Sequence, residues 1–198
     1  YLTCGSTVRA WSLSPQAEEG INFDRSINAM GRSMGGWDSC GVRDFWVGPL
    51  INEAPDQVIV LRHGAVNQLT AYNKTTGDPL WDVGLGGSPV ALSVVPNDSA
   101  AAARCYVAEQ FGGLVCFDGT GKQVMSMHIA QSLRGMYASS NGCTALWNLK
   151  EMFIVQDDQI MNQYRLNGYP LGWFAHAQNA GLLCINQEQL LMTKVRRV

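Results

Sequence analysis

Charge is scarce in this chain. Of its 198 residues only 15% are Asp, Glu, Lys or Arg, and the formal net charge is −2. The cations are scattered apart from Lys194, Arg196 and Arg197 near the end. A polyanion needs a dense basic surface, so neither nucleic acid nor an anionic membrane is an expected partner. No stretch approaches the roughly twenty apolar residues of a membrane-spanning helix. The six cysteines, Cys4, Cys40, Cys105, Cys116, Cys143 and Cys184, contain no C-x-x-C pair, and His63, His128 and His176 stand far apart. That spacing lacks the common zinc patterns, so no metal and no cofactor are expected. The cysteines read as small apolar strand residues of a reducing, intracellular and cytoplasmic setting, with three disulfides as the alternative. Two sequons, Asn73-Lys74-Thr75 and Asn97-Asp98-Ser99, point the other way.

Hydrophobic residues, by contrast, make up 46% of the chain, and there are 21 glycines. The chain therefore has material for a core and turns often. Its apolar runs repeat. Val58-Ile59-Val60-Leu61, a polar turn, and Gln68-Leu69-Thr70-Ala71-Tyr72-Asn73 end on a glycine turn and Trp81. Cys105-Tyr106-Val107-Ala108-Glu109, Gly112-Gly113, and Leu114-Val115-Cys116-Phe117-Asp118 end on Gly119-Thr120-Gly121 and Met125. Phe153-Ile154-Val155-Gln156, Asp157-Asp158, and Ile160 to Arg165 end on Asn167-Gly168 and Trp173. Fainter copies surround Ala10 and Met192.

Taking Ala10, Ala71, Cys116, Gln163 and Met192 as equivalent, the two central intervals are 45 and 47 residues. Four short strands fill such a length, and repeats of roughly 40–50 residues are those of propeller blades. The first interval, 61 residues, is expected to hold a loop insertion near residues 20–42, and the last, 29, to lack a strand or a loop. The expected fold is all-β, a β-propeller of about four to five blades, each a four-stranded antiparallel sheet, in one domain or segment over residues 1–198. The repeat runs mid-blade to mid-blade, so an incomplete ring, belonging to something longer or closed by a partner, is expected. Bulky residues after the second turn, Trp81, Met125 and Trp173, are expected to wedge between blades.

Ala71-Tyr72-Asn73-Lys74-Thr75-Thr76-Gly77-Asp78-Pro79-Leu80-Trp81 resembles the repeat of pyrroloquinoline-quinone-type propellers, Ala-x-Asp-x-x-Thr-Gly-x-x-x-Trp, with Asn73 in place of the Asp. Residues Val42 to Leu50 are similar to eukaryotic propellers of trafficking and ciliary coats, without their calcium-loop aspartates, and WD-repeat proteins are broader neighbours. The resemblance raises a quinone-dependent dehydrogenase or a periplasmic assembly propeller as the alternative function. Such dehydrogenases usually carry adjacent cysteines and an acidic calcium site, and this sequence has no adjacent cysteines.

Other chemistry is thin. Gly31-Arg32-Ser33-Met34-Gly35 fits G-x-S-x-G, but neither a buried strand before it nor a helix after it is legible, so a glycine loop is expected in place of a hydrolase elbow. Asp157-Asp158 reads as a hairpin turn in place of a cation site. The expected role is therefore a non-enzymatic protein–protein interaction scaffold, one subunit of a larger complex, whose partners are other protein subunits. The expected contact loops are residues 20–42 and 96–103. The candidate contact residues are Trp37, the tryptophan outside the strand pattern, with Arg32, Asn97 and Asp98.

Overall fold

The computed structural model describes residues 41–64, 66–173, 181–186 and 191 in full. It describes the backbone strands alone for 2–4, 7–13, 21–28, 174–176, 179–180, 189–190 and 192–195. These residues form five antiparallel meanders in chain order. The first sheet joins β1 (Leu2–Cys4), β2 (Thr7–Leu13) and β3 (Ile21–Asn28). The second joins β4 (Gly41–Gly48), β5 (Gln57–His63), β6 (Gln68–Asn73) and β7 (Pro79–Gly84). The third joins β8 (Pro89–Val95), β9 (Arg104–Glu109), β10 (Gly113–Phe117) and β11 (Gln123–His128). The fourth joins β12 (Gly135–Ala138), β13 (Thr144–Trp147), β14 (Glu151–Gln156) and β15 (Gln159–Arg165). The fifth joins β16 (Tyr169–His176), β17 (Asn179–Asn186) and β18 (Gln189–Val195). These are β-propeller blades, three of four strands and two of three.

The middle strands are apolar at consecutive positions because both of their faces are covered. On β5, Ile59 and Leu61 pack toward the third sheet with Cys105, Val107 and Phe117, while Val58 and Val60 pack on the opposite side with Tyr72. On β9, Tyr106 and Ala108 turn the other way, toward Met136, Leu146 and Val155 of the fourth sheet. A further cluster joins the fourth and fifth sheets through Met152, Ile154, Leu182 and Cys184. Innermost strands are also tied by polar contacts. The Leu92 amide donates to Asp44 Oδ2 at 3.0 Å, and the Ala138 amide donates to Ser93 Oγ at 2.9 Å. Burial pushes the Asp44 carboxyl above its ordinary range, against the two amide bonds from Leu92 and Phe45 and the charge of Arg43.

Register corrects one sequence equivalence. A bulge follows Ala10, Ala71, Cys116 and Ile154, each in the strand next to the outermost. The fourth equivalent point is thus Ile154, and Gln163 lies one strand further out, on β15. The pairs Met136–Ala138 and Ala145–Trp147, alternative candidates for one preceding strand, both form strands, β12 and β13. Trp173 does not close the fourth sheet; it belongs to β16, the first strand of the fifth. It still sits between blades, stacked on Tyr137 at 5.0 Å and on Trp147 at 6.4 Å between ring centroids. Part of the segment expected to be a loop insertion, Ile21–Asn28, is strand β3 paired with β2. The outermost strands β7, β11 and β15 alternate or expose every residue, so such strands look like loops in sequence. Residues 29–40 lie outside the described residues.

The turn between third and fourth strands explains the Asx position of the repeat motif. Asn73 Oδ1 accepts from the Thr75 and Thr76 amides at 2.7 and 3.0 Å. Asp118 Oδ1 accepts from the Thr120 amide, the Thr120 hydroxyl and the Lys122 amide at 2.9, 2.6 and 3.1 Å. An amide oxygen serves this turn as well as a carboxylate does, so Asn73 is no defect in the motif. Although its burial acts in the opposite sense, these bonds and the Lys122 charge hold the Asp118 carboxyl below its ordinary range.

Candidate functional site

A meander places the 1–2 and 3–4 turns of every blade on one face. On that face the loop 96–103 leaves β8 and is fixed at both sides. Asn97 donates its amide to Leu50 O at 3.2 Å and accepts from the Asn52 amide at 2.9 Å, forming a parallel bridge with Ile51. Its side-chain oxygen accepts from the Asp98 amide at 2.8 Å, and Asn52 Nδ2 donates to Asp98 Oδ1 at 2.7 Å. Ala100 O accepts from the Gly119 amide at 2.7 Å. The loop is therefore a ledge joining the second and third blades, with Asp98 exposed at its edge and Asn97 half-buried within it.

Beside the ledge a cleft of about 570 Å³ opens between the third and fourth blades. Asn97, Ala102 and Arg104 form one wall; Ser140, Asn141, Asp157 and Asp158 form the other. Tyr106, Cys116, Met125, Thr144 and Val155 line its depth. Arg104 is oriented by its own loop, since Nη1 donates to Ala101 O at 2.6 Å and Ala103 O at 3.0 Å. Asp157 and Asp158 take φ values of 49° and 61°. These are the two left-handed positions of a primed two-residue hairpin turn, as their sequence implied.

The chemistry of the depth is neutral. Burial pushes the Cys116 thiol up to about 12, with Arg104 opposing and Asp158 adding to the shift. Burial likewise pushes the Tyr106 hydroxyl up to about 12, again with Cys116 and Asp158 adding, and Arg104 and a hydrogen bond from Thr144 opposing. Nucleophilic sulfur requires the thiolate, so at neutral pH this cleft offers a hydroxyl, a thiol and apolar surface, with charges confined to its rim. That is an arrangement for holding a side chain or a short segment.

Among the sequence-derived candidates the structure brings Asn97 to the cleft and places Asp98 on the adjoining ledge. Trp37, Arg32 and Ser33 lie outside the described residues. His63 and His128 are exposed at the ends of β5 and β11, and His176 is described only as part of β16. Arg104, Tyr106 and Thr144 carried no sequence signal, because each sits within or beside an ordinary strand. Among the described residues no group of three or more His, Cys, Asp or Glu is arranged to hold a metal ion, and no helix is long and apolar enough to cross a membrane.

No protein-family model matches the sequence, and no curated protein is similar to it in sequence. Similar folds occur among solved structures. Sqt1 of Saccharomyces cerevisiae superposes with a TM-score of 0.65 at 14% identity, over 91% of this chain and 51% of that one. BBS1N, solved in complex with ARL6DN, superposes with 0.67 at 14% identity, over 96% and 58%. BamB of Moraxella catarrhalis superposes with 0.60 at 15% identity, over 82% and 46%. All are β-propeller proteins, and the chain spans about half the length of each.

Proposed function

We propose that this chain is a non-enzymatic interaction scaffold, a propeller domain or segment over residues 1–198 that serves as a subunit of a larger protein complex. The observation that carries the reading is the ledge 96–103, locked by main-chain bonds to the neighbouring blade and bordering a cleft with a neutral lining. A surface already ordered before binding loses little entropy when a partner docks. The propeller likeness to BBS1N, whose solved structure includes ARL6DN, supports a protein partner. Asn97 and Asp98 belong to this contact surface, and Trp37 and Arg32 are proposed as a second contact segment.

The finer repeat assignment we propose is the pyrroloquinoline-quinone type, supported by the Asx turn at Asn73 and the inter-blade seat of Trp81. The first shapes a turn and the second packs one blade on the next, so the assignment brings no quinone with it. The free thiols of Cys105, Cys116, Cys143 and Cys184 support a cytoplasmic setting.

The test is affinity purification of the tagged full chain from native extract, beside an Asp98→Arg, Ser140→Arg variant with unchanged melting temperature. Stoichiometric protein companions on the wild type, lost from the variant, are expected. A companion-free monomer, or a melting temperature raised by quinone with calcium, would overturn the reading.

A further inference from the structure

The opposite face carries a second, different pattern. There the hairpin tips between second and third strands meet the linkers between blades. Leu85 N donates to Asn67 O at 2.9 Å, Gln110 N to Ser88 O at 2.8 Å, Ile129 N to Gly112 O at 2.8 Å, and Leu166 N to Lys150 O at 2.7 Å. The tips are therefore tied to the linkers, and each presents one large apolar side chain. Val66 is 39% exposed on the second blade, Phe111 70% on the third and Leu149 41% on the fourth.

Single exposed apolar residues need no explanation. Equivalent positions on three successive blades are another matter, because a tight turn selects Gly, Asn, Asp or Ser and gains nothing from an exposed phenyl ring. Repetition on three successive blades sets these side chains in an arc along one face, where a single extended partner segment can reach them in turn. Charge is distributed unevenly along it. At the fourth blade Arg134, Lys150 and Arg165 are all exposed, against one carboxylate, Glu151, which accepts from Gln163 at 2.7 Å. At the third blade Glu109 is turned inward, accepting from the Gly87 amide at 2.9 Å.

We infer that this arc docks an amphipathic peptide segment of a partner protein, whose apolar side chains cover Phe111 and Leu149 and whose Asp or Glu residues lie over Arg134 and Lys150. The apolar contacts hold the segment, and the cations fix its direction along the face. This surface is separate from the cleft, so either assignment stands without the other.

The test is selection of a random peptide phage library on the immobilised full chain. Enriched peptides are expected to pair apolar residues with Asp or Glu. Phe111→Ser and Leu149→Ser should each weaken the strongest synthetic peptide at least tenfold, Lys150→Glu about fivefold, and the cleft variant Ser140→Arg not at all. The tips are exposed, so melting temperatures should hold; Phe111→Gln serves if Phe111→Ser unfolds. No enrichment, enrichment of basic peptides, or binders indifferent to Phe111 and Leu149 would overturn the inference. So would a concentration-dependent dimer abolished by Phe111→Ser, which would put a second copy of the chain on the arc.

Discussion

The indole of Trp81 donates its Nε1–H to the carbonyl of Gly119, 3.0 Å away on the neighbouring blade. The ring also lies close over Gly121, where an added Cβ would come within 2.9 Å of Trp81 Cε3. The large closing residue of one repeat is thus the seat for the glycine turn of the next, and the two positions form one joint.

Three changes should separate the components of that joint. Trp81→Phe removes the hydrogen bond and keeps most of the packing, costing about 1 kcal/mol. Trp81→Ala removes both and should cost about 2–3 kcal/mol, less than a fully buried aromatic because this ring is half-exposed. Gly121→Ala meets both the ring and a φ of +83°, and should cost more than about 1 kcal/mol. Urea unfolding gives all three. If the phenylalanine variant is as weak as the alanine one, the hydrogen bond matters more than the packing.

The pH dependence of blade docking should carry the mark of Asp44. Its carboxyl is raised in the folded chain, chiefly by burial, so the folded state holds this proton more tightly than the unfolded one. Its contribution is full below the unfolded value of about 4 and is lost as pH rises through the folded value. The stability difference between wild type and Asp44→Asn should therefore shift toward the asparagine variant from about pH 3.5 to neutrality. Denaturation midpoints across that range check it, and a shift of opposite sign would mean that the Leu92 and Phe45 amides outweigh desolvation.

The hairpin turn at Asp157-Asp158 should reward flexibility. Both residues occupy left-handed backbone, where glycine pays no Cβ penalty. Asp158→Gly is expected to leave stability unchanged or improve it by about 0.5 kcal/mol, whereas Asp157→Val should cost more than about 1 kcal/mol because a branched side chain resists that conformation. Thermal melts distinguish the two outcomes.

Thiol labelling should be ordered by burial. Cys105, Cys116 and Cys184 are buried, Cys143 is half-exposed, and burial raises all four thiols above their ordinary range. Among these four, peptide mapping after iodoacetamide should show Cys143 modified first and the other three protected until the chain unfolds. Early modification of Cys116 would mean that the cleft opens to its full depth.

Much of the architecture was legible because propeller strands advertise themselves. Continuous runs such as Val58–Leu61 and Cys105–Ala108 are buried on both sides, and Ala71 and Cys116 do occupy matching points. Gln163 was misplaced by one strand for the same reason. Second and third strands are equally apolar, so sequence cannot tell which of them Glu151–Gln156 is, and the short Asp157-Asp158 turn mimics the connection between them. Strand β3 was hidden because Ile21–Asn28 mixes apolar with charged and amide residues in a stretch that continues into several glycines. In the cleft, Asn97 was accessible to sequence reasoning through its turn composition. Arg104, Tyr106 and Thr144 became neighbours only through blade stacking, which no local pattern encodes.

Strand β15 buries none of its seven residues. It is fastened to β14 by a ladder of main-chain bonds and by the one side-chain bond from Gln163 to Glu151, which makes it easy to peel away compared with the buried strands described beside it. Detaching it would leave every apolar cluster intact and bare the rim of β14 as a zipper half awaiting another strand. Its amides should accordingly exchange with deuterium well before those of β14, and a foreign extended segment that takes its place would find the register already cut.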